Sequence, residues 1–178
     1  MNYFDKYIGP AESGNPDSQW QVGMYYCMGD GVVKDQKLAV SWWRKAAEQG
    51  HILAMTSLAG AYSLGQGVEI DEAEAAKWYM RAADKGDTYS QYKIGCALVC
   101  DDDVNKNYEL GVEYLRKAAL SGDKQAIQFL KGLAAHFSDI GIKPDPRLEV
   151  PRKAGCLLFV IGSGIFGLLY FLYSSELV

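Results

Sequence analysis

The stretch WWRKAAEQG, Trp42 to Gly50, decides the fold, because it returns as WYMRAADKG at Trp78 to Gly86 and as YLRKAALSG at Tyr114 to Gly122. The closing glycines Gly50, Gly86 and Gly122 stand at a constant interval of 36 residues. A fixed period of this size is the mark of stacked supersecondary units. Ahead of each copy lies a second block in the same register: VGMYYCMGDGV from Val22, LAGAYSLGQGV from Leu58 and IGCALVCDDDV from Ile94. The chain therefore reads as three units, 15–50, 51–86 and 87–122.

Within each unit apolar residues recur twice at helical spacing, separated by a Gly-rich or acidic connection, which predicts a pair of antiparallel helices. The first helix carries Val22, Gly23 and Tyr26, with counterparts Leu58, Ala59, Tyr62 and Ile94, Gly95, Leu98. The second carries Ala39, Trp43, Ala46 and Ala47, or Ala75, Tyr79, Ala82 and Ala83. Small residues at Gly23, Ala59 and Gly95 admit close approach of the facing helix. Asn15, His51, Asp87 and Asp123 fall where first helices need an N-cap, and Asp35, Asp71 and Asn107 where second helices do. Gly50, Gly86 and Gly122 end the second helices, since glycine takes the left-handed conformation at little cost.

The register extends past the full units. Tyr7 falls on the Trp43 position and Gly14 on that of Gly50, so residues 1–14 read as a worn second helix, with Pro10 where Ala46 would be. Ala126 and Leu130 continue the first-helix pattern over 123–138. The expected array is half, three, half, with the terminal half-units covering the ends of the stack.

Composition narrows the function classes. The 178 residues carry a formal charge of −4 with 49% hydrophobic and 22% charged residues. Residues 1–138 hold 14 Lys/Arg against 18 Asp/Glu, so no broad basic field exists for nucleic acid. Four scattered cysteines suit reduced, core-filling thiols rather than a disulfide scaffold. The start of the chain, MNYFDKYIGPAESG, has no continuous apolar stretch and does not read as a secretory signal.

No constellation of nucleophile, base and orienting group is evident, and the expectation is that the protein is not an enzyme. Cys96 and Cys100 lie four apart before Asp101, Asp102 and Asp103, yet His51 and His136 belong to other repeats. No metal site or cofactor is expected. The turns Gly29-Asp30-Gly31 and Gly65-Gln66-Gly67 recur with the repeat and lack the Lys-Ser/Thr of a phosphate loop. Glu69, Asp71, Glu72 and Glu74 at the start of a second helix suit its positive dipole end and solvent.

The remaining sequence reads differently. From Ala154 to Ser175 no residue is charged, a run of 22. As a helix it would reach ~33 Å, enough for a hydrocarbon core of ~30 Å. Residues 139–153 form a linker with Pro144, Pro146 and Pro151, too many for continuous helix. Lys143, Arg147, Arg152 and Lys153 precede the run and only Glu176 follows within the short tail 176–178. The positive-inside bias then keeps the repeats cytoplasmic and the chain single-pass and tail-anchored. Gly162, Ser163, Gly164 and Gly167 offer a small-residue face through which two spans could pair as a homodimer.

The pattern A/S-x-x-x-L-G-x-x-Y-x-x-G-x-G-V, then D-x-x-x-A-x-x-W-x-x-x-A-A-x-x-G, resembles the Sel-like repeat (SLR) family, a longer relative of tetratricopeptide repeats. The first two units carry it through Ser18, Tyr26, Gly29, Gly31, Val32, Asp35, Ala39, Trp42, Ala46, Ala47 and Gly50, and through Ala54, Tyr62, Gly65, Gly67, Val68, Asp71, Ala75, Trp78, Ala82, Ala83 and Gly86. The third departs from it with Leu98 for the tyrosine and Asp101 and Asp103 for both loop glycines. The resemblance implies an all-α, right-handed α-solenoid that binds a protein or peptide on the concave face of its first helices. Carried over to this sequence, the groove positions are Trp20 and Met24, Thr56 and Gly60, Tyr92 and Cys96, and Gln128 and Gly132. Trp20 and Tyr92 would either anchor a ligand there or pack between neighbouring helices. The resemblance also points to a regulatory or effector-immunity protein at a bacterial inner membrane. Its alternatives are an enzyme accessory or hydrolase of cell-wall or β-lactam type, and a lumenal member acting in quality control.

Overall fold

A computed structural model describes residues 3–100 and 104–139 together with Pro146. Eight helices and no strand occur among the described residues: α1 Tyr3–Glu12, α2 Pro16–Met28, α3 Gln36–Glu48, α4 Ile52–Leu64, α5 Glu72–Asp84, α6 Thr88–Cys100, α7 Val104–Leu120 and α8 Lys124–Asp139. Apart from Pro146, the residues from 140 onward, with most of the expected linker and all of the expected span 154–175, lie outside the described residues. No described helix is long and apolar enough to cross a membrane. The chain divides into two compact units that meet in sequence between Asp87 and Thr88.

In the first unit, local chemistry sets the helix ends. Asn15 Oδ1 accepts the Ser18 N–H at 2.8 Å, and His51 Nδ1 accepts the Ala54 N–H at 3.1 Å. At the second helices, Asp35 Oδ1 takes the Leu38 N–H and Asp71 Oδ1 that of Glu74. Each such cap contributes ~1 kcal/mol by satisfying one orphan donor of the first turn. First helices stop at Gly29 and Gly65, whose φ of 76° and 68° turns the chain out of the helix. Only glycine reaches that region without a side-chain clash.

The two helices of a repeat pack through small residues. At Gly23 an added Cβ would run into the Trp43 indole and lie 3.1 Å from the Ala39 carbonyl oxygen. The missing side chain is what lets the N–H edge of the Trp43 indole reach the α2 backbone, where the ring is buried together with Val22, Ala46 and Leu58. In the next repeat Ala59 occupies that position, Tyr79 is only half-buried, and the buried aromatic is Trp78, one residue earlier. Its indole donates to Glu74 Oε1 at 3.0 Å. Glu74 thereby differs from its solvated neighbours Glu69, Asp71 and Glu72. The turn between α4 and α5 docks on the start of α3, because Gly67 places its backbone against Gln36. The helix α1 runs through Pro10 to Glu12 and packs on α2, with Phe4 edge-on to Tyr25 and Tyr26.

The second unit gathers Val112, Leu115, Ala118 and Ala119 of α7 with Ala126, Ile127 and Leu130 of α8. Gly95 and Gly111 face each other, each with the other's carbonyl oxygen 2.9 Å from where a Cβ would stand. The expectation that Asn107 caps a second helix is corrected: α7 begins at Val104, so Asn107 lies inside it. The physical reason is in the connection. Repeats one and two leave the first helix through positive-φ glycines, Gly29 and Gly31 or Gly65 and Gly67. With Asp101 and Asp103 in their places, helix resumes after three residues instead of seven. Asp123 does cap α8, accepting the Ala126 N–H at 2.7 Å.

Candidate functional site

Charge divides the first unit by helix type. The first helices α2 and α4, 13 residues each, hold a single charged side chain, Asp17, whereas the second helices α3 and α5, of the same length, hold nine. Solvent does not demand such an uncharged surface. Part of this apolar surface is nevertheless exposed: Met28 is 58% accessible, Leu53 50% and Leu64 67%. Along α2 the accessible or half-accessible positions Asp17, Gln21, Met24 and Met28 follow one helix face. On α4 the equivalent face is Leu53, Ser57, Gly60 and Leu64.

Trp20 joins the two rows. Its indole N–H donates to Ser57 Oγ at 3.2 Å, and its ring stacks on His51 with centroids 5.7 Å apart. Half-buried against the core, it packs between neighbouring first helices. Met24 leans on the same core, and the Thr56 hydroxyl is turned back to the Ile52 carbonyl at 3.1 Å. His51 is held on three sides: Nδ1 takes the Ala54 N–H, Nε2 meets Asp17 Oδ1 at 3.1 Å, and the ring faces Trp20. An accepting Nδ1 assigns the proton of the neutral ring to Nε2, which donates it to Asp17.

His51, Asp17 and Ser57 are the residue types of a hydrolytic triad, but the arrangement is a different one. Both imidazole nitrogens are already committed, and the Ser57 hydroxyl donates to the Leu53 carbonyl at 2.8 Å. A general base needs a free nitrogen within reach of the nucleophile, and here none is offered.

In the second unit Tyr92 and Cys96 of α6 are hydrogen-bonded to each other, and Gln128 on α8 is half-buried. Burial is the main cause that pushes the Tyr92 phenol up to about 12, with the Cys96 thiol adding to it. Burial likewise pushes Cys96 up to about 12, against the opposing hydrogen bond of Tyr92, and raises Cys100. Thiols in this state stay protonated near neutral pH and are poor nucleophiles and metal ligands. Tyr92 also lies near Asp123, the cap of α8, as Trp20 lies against His51, the cap of α4. The aromatics at this register position share a packing role in both units.

The groove drawn from the sequence thus contributes Trp20, Met24 and Thr56 in one unit and Tyr92, Cys96 and Gln128 in the other. Sequence reasoning missed Asp17, Met28, Leu53, Ser57 and Leu64. The signal for them was available: ILAMTSLAGAYSL, the whole of α4, contains no charged residue.

Residues 16–51, 52–87 and 88–123 each match the Sel1 repeat model. The chain belongs to the Sel1 repeat family. Among solved structures it is similar to c5321, a protective antigen of uropathogenic Escherichia coli with an SLR fold, at 27% identity and a TM-score of 0.68. That likeness covers 82% of this chain and 31% of the other. A Sel1 repeat protein from Oxalobacter formigenes is 32% identical with a TM-score of 0.69, over 80% of this chain and 58% of its own. A stretch of 53 residues, 30% of this chain, is 43% identical to uncharacterized protein NMB1327 of Neisseria meningitidis serogroup B and covers 11% of it. The chain thus spans less than two thirds of each of these proteins. Sel1 repeats generally mediate protein–protein interaction, and their fold is typically a non-catalytic scaffold.

Proposed function

We propose that this Sel1 repeat protein is a membrane-tethered adaptor that captures a protein segment on the exposed face of its first helices. The observation that carries the binding half is the segregation of charge: one charged residue on α2 and α4 against nine on α3 and α5. A surface with accessible leucine and methionine and almost no charge is what a partner covers. The tethering half rests on the uncharged run from Ala154 to Ser175 and the Lys/Arg bias ahead of it. In this reading the repeats lie on the cytoplasmic side of a bacterial inner membrane, and the anchor confines capture to the bilayer surface. A regulatory or effector-immunity role fits such an adaptor.

Site-specific photocrosslinking in native membranes tests both halves. With the crosslinker at Met24 or Leu64 we expect one dominant adduct, pelleting with the membrane fraction and resistant to carbonate extraction. Digestion of the repeats by protease added to intact spheroplasts would refute the topology.

A further inference from the structure

We infer that the face formed by α2 and α4 takes an aliphatic peptide segment carrying one basic residue, which sits against Asp17 while the aliphatic part covers Gly60 and the Met28 and Leu64 end. This rests on the protein-binding reading above and adds the chemistry of the segment. Charge complementarity decides it. Asp17 is the one charged residue on either helix, and its side chain is 84% exposed, so its carboxylate stays open to a cationic group of a ligand. An acidic segment would be repelled there, and a segment charged elsewhere would bury its charge against leucine and methionine.

Gly60 is the second observation. A helix-interior glycine lowers helix propensity, and packing normally explains its presence. At Gly60 packing does not: a Cβ would touch only the Tyr79 hydroxyl, at 3.8 Å, an ordinary contact. Gly23 and Gly95 contrast with it, since both are pressed by the facing helix of their own repeat. Midway along the uncharged face, Gly60 leaves a recess that no part of the first unit fills, and a ligand backbone or branched side chain can settle into it.

The test uses the full chain in phosphatidylcholine nanodiscs, with empty discs as the control for lipid partition. Three fluorescent 12-residue peptides are compared by anisotropy: an aliphatic segment ending in Lys, the same segment ending in Glu, and a Lys-ended segment with serines for the aliphatics. The Lys-ended aliphatic peptide should bind about threefold more tightly than the Glu-ended one, the scale of an exposed ion pair, and the serine peptide should not bind. Asp17→Lys should invert the Lys/Glu preference. Gly60→Leu, and independently Leu64→Ser, should weaken both aliphatic peptides about tenfold or more with helicity unchanged. Equal binding of the Lys and Glu peptides, or indifference to Asp17→Lys, overturns the proposal. So does self-association of the chain that Leu64→Ser abolishes, because the occupant is then a second copy. If crosslinkers at Lys45 or Arg81 trap a partner in cells while those at Met24 and Leu64 trap none, the adaptor reading stands and this inference falls.

Discussion

The indole N–H of Trp43, on α3, donates to the backbone carbonyl oxygen of Trp20, on α2, at 3.3 Å. The bond exists because Gly23 leaves the α2 backbone bare under the ring. Trp20 in turn bonds Ser57 on α4, so a single residue ties three successive helices of the first unit.

Trp20 should therefore matter for stability before it matters for binding. Trp20→Ala removes a half-buried indole, its bond to Ser57 and its stack on His51, and should cost ~3 kcal/mol in urea unfolding of the full chain. Trp20→Phe, which keeps a ring but no N–H, should recover more than half of that. A Trp20→Ala protein as stable as the parent would return this residue to the role of ligand anchor.

Two helix-interior glycines should respond in opposite directions to the same added methyl. Gly23→Ala drives a Cβ into the Trp43 indole and should destabilise by ~1–3 kcal/mol. Gly60→Ala meets only the Tyr79 hydroxyl at 3.8 Å and should stabilise by ~0.5–1 kcal/mol through helix propensity. Denaturant midpoints of the two variants provide the comparison. A loss of stability at Gly60 would mean that internal packing requires it.

Caps separate the repeats. Asp35→Ala and Asp71→Ala should each cost ~1 kcal/mol, since each carboxylate satisfies a first-turn N–H. Asn107→Ala, inside α7 rather than at its start, should be neutral or slightly stabilising. A cost at Asn107 equal to that at Asp71 would restore the seven-residue connection in the third repeat.

Cys96 and Tyr92 give the second unit a dependence on alkaline pH. Both groups titrate near 12 when folded, above the ordinary 9.0 of the thiol and 10.0 of the phenol. A raised folded value means that the native state holds its proton longer than the unfolded chain. The stabilisation is complete below pH ~9 and declines as pH rises towards ~12. Cys96→Ala should flatten that decline in a pH series of thermal unfolding. At pH 8, iodoacetamide should label Cys96 in the native chain more slowly than after unfolding, by peptide mass spectrometry.

Much of the fold is legible because its signals are local. The Asn15, Asp35, Asp71 and Asp123 caps and the Gly29 and Gly65 stops each act within one turn of chain, so residue type at a fixed offset suffices to read them, and the 36-residue period repeats those offsets along the chain. The face around Asp17, Leu53 and Leu64 was less legible, since a charge-free helix reads equally as buried core until accessibility is known. Asn107 misled because it occupies a capping register whose loop had lost its glycines.

Sequence alone determined that this chain is an array of helix pairs, since periodicity and capping need no knowledge of neighbours. Tertiary structure alone decided which aromatic the first two repeats bury, Trp43 over Gly23 in one and Trp78 in the other, because burial is set by what stands opposite each ring. It also decided that Trp20 is a tie between helices and that Gly60 is an open recess. Those two facts depend on what stands opposite a residue, and the repeat register is blind to that.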